Sequence, residues 1–346
     1  MPHRCLLSLG ALAAVVALLS VAAPLPVATQ GASLRTTWGE PDLQGIWNVM
    51  YDTPLERPEE YAGRELLTDA EVAELDHKKA QDPGRNARGE AGSDRDVGGA
   101  YNAVFNSVLR TGKRTSLIVD PPDGRVPPLT VTAQQRLDME RAYLKDPANA
   151  PYPGTLTTGV LNRPAQGPED RRTMERCLGV SLPAFGGGIF AQSTTIRIAQ
   201  SPKQLAIYYE DNHLGGGNRL IPIDGSPHLP PDMRRWLGDA RGHWEGDTLV
   251  VDTTNFTGRT DFRGSRENLH LIERFTRVDA VTLRREITIE DSSVWTRPWT
   301  VMVEMGKGDD KQNLIFESAC HEGNFGLVGI LAGARTEEKA AESKDK

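Results

Sequence analysis

RGHWEGDTLVVDTTNF, residues 241–256, predicts a complete β-hairpin, and the longest run of strand-like sequence in the chain follows it. Gly246 can adopt the positive φ of a tight turn, and Asp247 can hydrogen-bond its own backbone there. β-Branched residues after the turn favour a strand. Because side chains alternate along a strand, Asp252 shares a face with Val250, and its carboxylate is either paired in a polar network or part of a site.

Strand-like segments fill most of the chain from residue 194 onward. The predicted strands cover residues 195–199, 204–209, 219–223, 249–254, 268–278, 281–290, 294–305 and 313–320. About eight strands separated by turn sequences are typical of an antiparallel meander that closes into a barrel or folds as a sandwich. The 34 glycines and 23 prolines agree with such a turn-rich fold. The sequence therefore predicts a mainly β, barrel-like or sandwich domain.

The first half of the chain is rich in loops and carries two or three short helices. Capping-box sequences at Thr68 and Thr132 predict helices that end near residues 80 and 145. A third helix, over residues 169–178, is expected to be the last of any length. The predicted division is a signal peptide (1–30), a loop-rich part (31–190), an antiparallel β domain (191–332) and a charged, frayed tail (333–346), with 31–332 forming one continuous domain.

A first strand is predicted over residues 41–49, and a short strand over 115–119. The first strand opens with Gly45-Ile-Trp47. A Gly-x-Trp sequence at this place is also seen in lipocalin-like barrels, where the tryptophan plugs one end.

The N-terminus predicts export. Residues 1–4 are basic, residues 6–21 are apolar, and small residues recur over 22–32, which is the pattern of a cleavable signal peptide. The densely apolar run is shorter than the roughly 20 residues that a membrane-spanning helix needs, and no other stretch could span a bilayer. We expect a periplasmic or secreted protein that has no membrane span after signal removal.

Charge and cysteine content narrow the partners and the compartment. The net charge of −7 lacks the basic patch of a nucleic-acid-binding protein, so DNA and RNA are not expected as partners. Cys177 and Cys320 remain once the signal peptide, with Cys5, is removed. In an oxidising compartment they form either one disulfide closing a long loop or two separate buried thiols.

Common catalytic motifs are absent from the sequence. There is no Gly-x-Ser-x-Gly elbow, no phosphate-binding Gly-x-x-x-x-Gly-Lys, no dinucleotide-binding Gly-x-Gly-x-x-Gly after a strand, and no His-Glu-x-x-His. No cofactor is therefore expected. What remains is a set of histidines and carboxylates at strand ends in the β-rich half, and histidine is the usual proton shuttle and a common metal ligand.

Four of these side chains are candidates for acid–base catalysis: Asp252, Glu273, His270 and His321. His270 and Glu273 differ in parity and lie on opposite faces of a regular strand. Glu273 shares its face with apolar neighbours, so it is either matched to an arginine or has a raised pKa. His321 lies where the last predicted strand ends, and His213, His228 and His321 are a weaker alternative as metal ligands.

Aromatic and polar residues near these positions are candidates for ligand contacts. Trp295 and Trp299 flank Arg297-Pro298 and offer either a rigid aromatic surface for ligand stacking or ordinary core packing. The full set of candidate ligand contacts is Trp244, Trp295, Trp299, Arg274 and Asn324.

Several phrases together resemble a large family of exported bacterial proteins that occurs in many copies in soil organisms. They are PDLQGIW (41–47), TPLERP (53–58), RTSLIVDPPDG (114–124), WLGD (236–239), the hairpin itself, WTRPW (295–299) and CHEGN (320–324). The resemblance spans nearly the whole mature chain. It implies export and one continuous domain, and it carries no catalytic assignment.

Two functions are consistent with these features. The first is an exported enzyme that acts on a small apolar or glycosidic molecule by acid–base chemistry. The second is a lipocalin-like binding or carrier protein for a similar ligand, without catalysis. Histidines and carboxylates that converge in one place favour the enzyme, whereas a closed apolar cavity lined by tryptophan and phenylalanine favours the carrier.

Overall fold

Antiparallel pairing joins ten strands of the described chain into one sheet in the computed structural model. The strands are β1 (Gly45–Val49), β2 (Ile118–Asp120), β3 (Thr195–Ser201), β4 (Gln204–Glu210), β5 (Gly217–Pro222), β6 (Asp239–Glu245), β7 (Thr248–Thr254), β8 (His270–Arg277), β9 (Thr282–Glu290) and β10 (Trp299–Lys307). The structure describes residues 34–81, 90, 93, 109–145, 165, 167–168, 171, 176–178, 182–185, 195–210, 217–309, 315, 320–322 and 324–344. The predicted signal peptide, residues 1–30, lies outside these ranges.

The sheet curls into a nearly closed barrel. Its strand order is β5-β4-β3-β1-β10-β9-β8-β7-β6, and β2 pairs with β10. At the two edges, β5 and β6 come so close that a Cβ atom on Gly242 would lie 3.2 Å from Ile223 and 3.3 Å from Ile221. The predicted mainly β, antiparallel, barrel-like fold is confirmed.

The predicted hairpin is the β6–β7 pair. Gly246 has a φ of +60°, a conformation that suits glycine, and Glu245 pairs with Thr248 across the turn. Along β7, Leu249 and Val251 join the core cluster. Asp252, the next residue after Val251, is only half-buried and faces outward.

A buried ion triad crosses the barrel interior. Glu273 of β8 accepts hydrogen bonds from Arg219 of β5 (Nη1 to Oε2, 2.6 Å) and from Arg285 of β9 (Nη2 to Oε1, 2.5 Å). Arg219 also donates to Thr253 Oγ1 at 2.9 Å and to Tyr209 Oη at 3.0 Å. The triad therefore links an edge strand of the sheet to strands on the far side of the barrel.

Glu273 is a structural carboxylate. Burial raises its pKa, but the charges and hydrogen bonds of Arg219 and Arg285 more than offset burial, so the pKa lies below its ordinary value. The prediction that Glu273 is matched to an arginine is confirmed. The alternative, a raised pKa suited to proton transfer, is wrong because two guanidinium groups stabilise the ionised form.

Aromatic side chains occupy both ends of the barrel. At the end where β8 and β10 finish, Trp47 is fully buried beneath Arg277 and Lys307, whose cationic groups lie 5.7 and 5.8 Å from its ring. At the opposite end, Trp299 stacks on Phe262 and meets Trp295 edge-on.

Three α-helices lie among the described residues: α1 (Asp69–Gln81), α2 (Val131–Lys145) and α3 (Phe325–Lys344). The capping box of α1 is present, because Thr68 and Glu71 bond each other's backbone amide. The cap of α2 is Thr130, whose hydroxyl accepts from the amide of Ala133, so the prediction of Thr132 is displaced by two residues. No helix in the described part of the chain combines the length and apolar character needed to cross a membrane.

Several boundaries differ from those predicted. Strand β1 begins at Gly45 rather than at residue 41, and β2 covers Ile118–Asp120 rather than residues 115–119. Strand β10 begins at Trp299 rather than at residue 294, because Asp291 accepts the amides of Val294 and Trp295 and holds a turn there. Helix α3 occupies the segment expected to be a frayed tail, so the expectation that 169–178 is the last helix is wrong. Most of the predicted helix 169–178 and strand 313–320 lies outside the described residues.

A disulfide joins Cys177 to Cys320 across 143 positions of the chain. It sits just before α3, and Asn324, which caps that helix, donates its side-chain amide to Cys177 Sγ at 3.3 Å. The disulfide alternative is therefore supported over two separate thiols.

We predict that Glu273→Gln lowers the free energy of unfolding by about 3–5 kcal/mol, because two buried guanidinium groups lose their counter-charge. Urea denaturation of both proteins measures the change. Glu245→Gln is the matched control, since Glu245 pairs with Arg274 on the exposed face of the same barrel and its loss should change little. Equal stabilities for Glu273→Gln and the parent protein would contradict the structural role.

We predict that loss of the disulfide lowers the free energy of unfolding by about 4–5 kcal/mol, because the bond closes a long loop in the unfolded chain. Thermal unfolding of a Cys177→Ser, Cys320→Ser double variant measures this effect. Gel mobility of the parent protein with and without reductant checks the bond itself, and two free thiols in the denatured, unreduced protein would refute it.

Candidate functional site

Asp252 lies on the outer face of the barrel with a side chain that is 36% exposed. The antiparallel register places it opposite Arg241 of β6 and Ile272 of β8. Its two carboxylate oxygens contact two different imidazole rings. Asp252 is therefore the centre of a polar network, which was one of the two alternatives for this residue.

His270, the first residue of β8, faces the same side as Asp252. Its Nε2 lies 3.1 Å from Asp252 Oδ2, and its Nδ1 lies 2.9 Å from Oε2 of Glu290, the residue directly opposite on β9. Strand pairing alone thus holds His270 between two carboxylates.

His228 approaches Asp252 from the loop between β5 and β6. Its Nε2 lies 3.1 Å from Asp252 Oδ1, and its Nδ1 lies 3.0 Å from Asp239 Oδ2. Asn255, which has a φ of +57°, holds this loop in place by donating its side-chain amide to the carbonyls of Leu229 and Pro230. The loop that carries His228 is therefore anchored to the end of β7.

These five side chains form what we name the carboxylate–imidazole chain. In order of contact, its members are Asp239, His228, Asp252, His270 and Glu290. Four members, His228, Asp252, His270 and Glu290, are roughly one third exposed, so solvent can reach them.

The hydrogen bonds of the carboxylate–imidazole chain need more protons than two neutral histidines supply. A carboxylate only accepts hydrogen bonds, and a neutral imidazole donates one. The four contacts require four protons, whereas two neutral rings provide two. As hydrogen bonds, all four contacts are satisfied only when both rings are imidazolium, and the loss of one proton leaves one contact between two acceptors.

The shifts in pKa agree with this geometry for the pair at the centre. The hydrogen bond to Asp252 raises the pKa of His270, burial lowers it, and the charges of Asp252 and Glu290 raise it further, with a net increase. Burial raises the pKa of Asp252, but His270 and His228 lower it by more. Both shifts favour the ionised form, a carboxylate beside a proton-carrying imidazole.

The structure separates the four predicted catalytic residues. Asp252 and His270 are in contact, whereas Glu273 lies on the opposite, inner face of β8 in the ion triad. His321 is exposed in the turn after Cys320. No hydrogen bond or ion pair joins His321 to the other three among the described residues.

The predicted ligand contacts are also dispersed. Trp295 and Trp299 are buried, which corresponds to the core-packing alternative. Trp244 packs partly buried against the core, Arg274 forms an ion pair with Glu245, and Asn324 caps α3. None of the five contacts the carboxylate–imidazole chain through a hydrogen bond or ion pair in the described part of the protein.

The predicted metal ligands do not come together either. His213 lies outside the described residues, His228 belongs to the carboxylate–imidazole chain, and His321 lies in the exposed turn before α3. Within the described ranges, no group of three histidine, cysteine or acidic side chains is placed to hold a metal ion.

A separate cleft of about 330 Å³ lies between strands β1 and β10 of the barrel and the segments around residues 51–53, 72 and 111–117. Its apolar lining comes from β1, α1 and β10 and includes Val49, Val72 and Met302. Threonine hydroxyls of Thr53 and Thr111 add polar groups. The volume is at the lower end of the roughly 300–1,000 Å³ typical of small-molecule pockets.

Comparison of the chain with protein-family models, curated protein sequences and solved structures finds no match. The function must therefore be argued from the site itself.

Three members of the chain were missed as catalytic candidates: Asp239, Glu290 and, except as a metal ligand, His228. The alternation of side chains could have identified Glu290, because it is the last residue of β9 and faces the same side of the sheet as His270 on β8. No local pattern marks Asp239 or His228, since a loop brings them to Asp252.

We predict that Asp252→Asn lowers the pKa of His270 towards its ordinary value, because the variant removes the anion that holds the proton. NMR titration of the histidine side chains measures the shift. Asp247→Asn, in the exposed hairpin turn, is the control and should leave the titration unchanged. An unaltered His270 titration in Asp252→Asn would contradict the contact.

The same pair makes stability depend on pH. Because folding raises the pKa of His270, its stabilising contribution is complete below the unfolded value of about 6.5 and is lost as the pH rises through the folded value. We expect the difference in unfolding free energy between the parent protein and His270→Asn to shrink between mildly acidic and alkaline pH, as measured by urea denaturation.

Proposed function

We propose that this chain is an exported enzyme that acts on a small apolar or glycosidic molecule by acid–base chemistry at Asp252, His228 and His270. The observation that carries the proposal is the placement of one half-exposed carboxylate between two imidazole Nε2 atoms, each at 3.1 Å. Each ring is in turn held at Nδ1 by a second carboxylate. Such fixed orientation is what proton transfer to a bound molecule requires.

Export is supported by two independent features. The N-terminal sequence has the basic, apolar and small-residue regions of a signal peptide. A disulfide between Cys177 and Cys320 is typical of proteins that fold in an oxidising compartment. The proposed location is the periplasm or the extracellular medium.

The proposed reaction is cleavage of a C–O bond by water. One imidazole Nε2 takes a proton from the attacking water, while the other gives its Nε2 proton to the oxygen that leaves. The water oxygen forms the new bond to carbon, and the leaving oxygen departs with the bonding electrons and the donated proton. Both rings are about 30% exposed, so they exchange protons with solvent and return to the starting state.

We expect Asp252→Asn to lower kcat by about 10²- to 10⁴-fold, because the variant removes the charge that keeps the proton on His270. A panel of chromogenic esters and glycosides provides the assay, and thermal unfolding checks that the variant folds. Asp247→Asn is the matched control. Full activity in a folded Asp252→Asn variant would disprove the proposal, and lost stability with no hydrolysis by the parent would assign Asp252 a structural role.

A binding protein without catalysis is the second candidate, and the cleft beside β10 favours it. Its apolar walls and hydroxyl groups suit a small, largely apolar ligand. The two candidates use different parts of the molecule, so variants distinguish them. We expect Met302→Trp to fill the cleft and abolish binding of a hydrophobic probe such as 2-naphthol, measured by calorimetry, while Asp252→Asn leaves binding intact.

A further inference from the structure

The two ends of the carboxylate–imidazole chain carry different charge. At one end, Asp239 is 1% exposed and accepts the backbone N–H of Leu229 at 3.0 Å. Its other oxygen lies 3.1 Å from Nη1 of Arg241 and 4.0 Å from Nη1 of Arg235. Arg241 therefore offsets much of the negative charge of Asp239, although Oδ1 accepts no hydrogen bond, and the exposed Arg235 lies at the distance limit of an ion pair.

At the other end, Glu290 is 35% exposed and meets His270 alone. Among the described residues, no arginine or lysine forms an ion pair with Glu290 or with the central Asp252. His270 thus faces two carboxylates whose charge only histidines offset. His228 faces the shared Asp252 and a carboxylate whose charge Arg241 offsets in large part.

This difference in charge makes His270 hold an extra proton more strongly than His228 does. An imidazolium is stabilised by nearby negative charge, and the charge around His270 is larger than the charge around His228. We propose that His228 is the general base and His270 the general acid of the site. The assignment rests on the proposed function, but the protonation states behind it can be measured without any substrate.

The surroundings of His228 also determine which nitrogen acts. Asp239 can only accept, so a neutral His228 carries its proton on Nδ1 and presents the lone pair of Nε2 to Asp252 Oδ1. Two acceptors 3.1 Å apart repel each other, and the contact widens. A water molecule that donates one hydrogen to each acceptor satisfies both and turns its own lone pairs towards a substrate.

The surroundings of His270 suit the opposite task. Both of its nitrogens face carboxylates, and neither carboxylate has an arginine partner among the described residues, so an imidazolium with an N–H at each position is favoured. A substrate oxygen entering beside Asp252 can compete for the Nε2 proton. His228 would then take a proton from the water on one side of Asp252, and His270 would give a proton to the leaving oxygen on the other side, as concerted proton transfer requires.

Nitrogen-15 NMR of the full chain at pH 7.5 tests the protonation states. We expect both nitrogens of His270 to be protonated and Nε2 of His228 to be bare. Arg241→Gln should place a second proton on His228 and leave His270 unchanged, whereas Glu290→Gln should remove a proton from His270 alone. Arg274→Gln, on the same outer face but paired with Glu245, is the control. Identical protonation of the two rings, or a charged His228 beside a neutral His270, overturns the assignment.

Leaving-group dependence tests the roles in catalysis. A nitrophenolate leaves without a proton, whereas an alkoxide needs one. We expect His270→Gln to lose less than about tenfold in kcat on nitrophenyl substrates and more than about 100-fold on alkyl substrates, while His228→Gln loses heavily on both. Equal losses on both substrate classes for His270→Gln would refute its role as the acid. If the NMR pattern holds and no substrate is cleaved, the proposed function fails and the division of charge stands.

Discussion

The barrel depends on one buried carboxylate, Glu273, held between Arg219 and Arg285. Arg219 comes from the edge strand β5, and its partners come from β4, β7 and β8, so these contacts tie one edge of the sheet to strands near the other edge through the interior. Desolvation makes such a group costly unless every charge is matched. The contacts of Arg219 with Thr253 and Glu273 therefore form only where β5 lies close to β7 and β8, as it does in the closed barrel.

The outer surface obeys the opposite rule. On β8, Glu273 points inward and is neutralised by arginines, whereas His270 points outward and is surrounded by carboxylates. Burial and full pairing make the first group inert. Partial exposure leaves the second group accessible to solvent. Two titratable residues three positions apart in sequence are thus given different work by the alternation of a single strand.

Sequence reasoning reached the fold and part of the site for identifiable reasons. Alternation predicted that Asp252 shares a face with Val250 and that Glu273 lies among apolar neighbours on the face opposite His270, and turn chemistry predicted the hairpin. The contact between Asp252 and His270 also needs the pairing register, which alternation alone does not specify. His228 and Asp239 required the path of a loop.

The misplaced elements have similarly local causes. Thr130, not Thr132, caps α2, because both residues offer a hydroxyl and only the contact with Ser293 and the turn after β9 selects between them. For Trp295 and Trp299, the sequence is the same whether the rings pack in the core or line a binding surface, so it could not decide between the two. Helix α3 carries charges over its second half, so charge density alone suggested a tail, whereas the disulfide and the Asn324 cap hold its first turn.

The charged residues of strand β8 disfavour a shift in its pairing register. A slip of one residue would turn Glu273 out to solvent and His270 into the interior, leaving two arginines buried without an anion and two outer carboxylates without their imidazole. Both faces would be penalised by the same mistake. Correct alignment is therefore favoured by electrostatics as well as by hydrophobic pattern, and the pairing that buries Glu273 also brings Asp252, His270 and Glu290 together on the outer face.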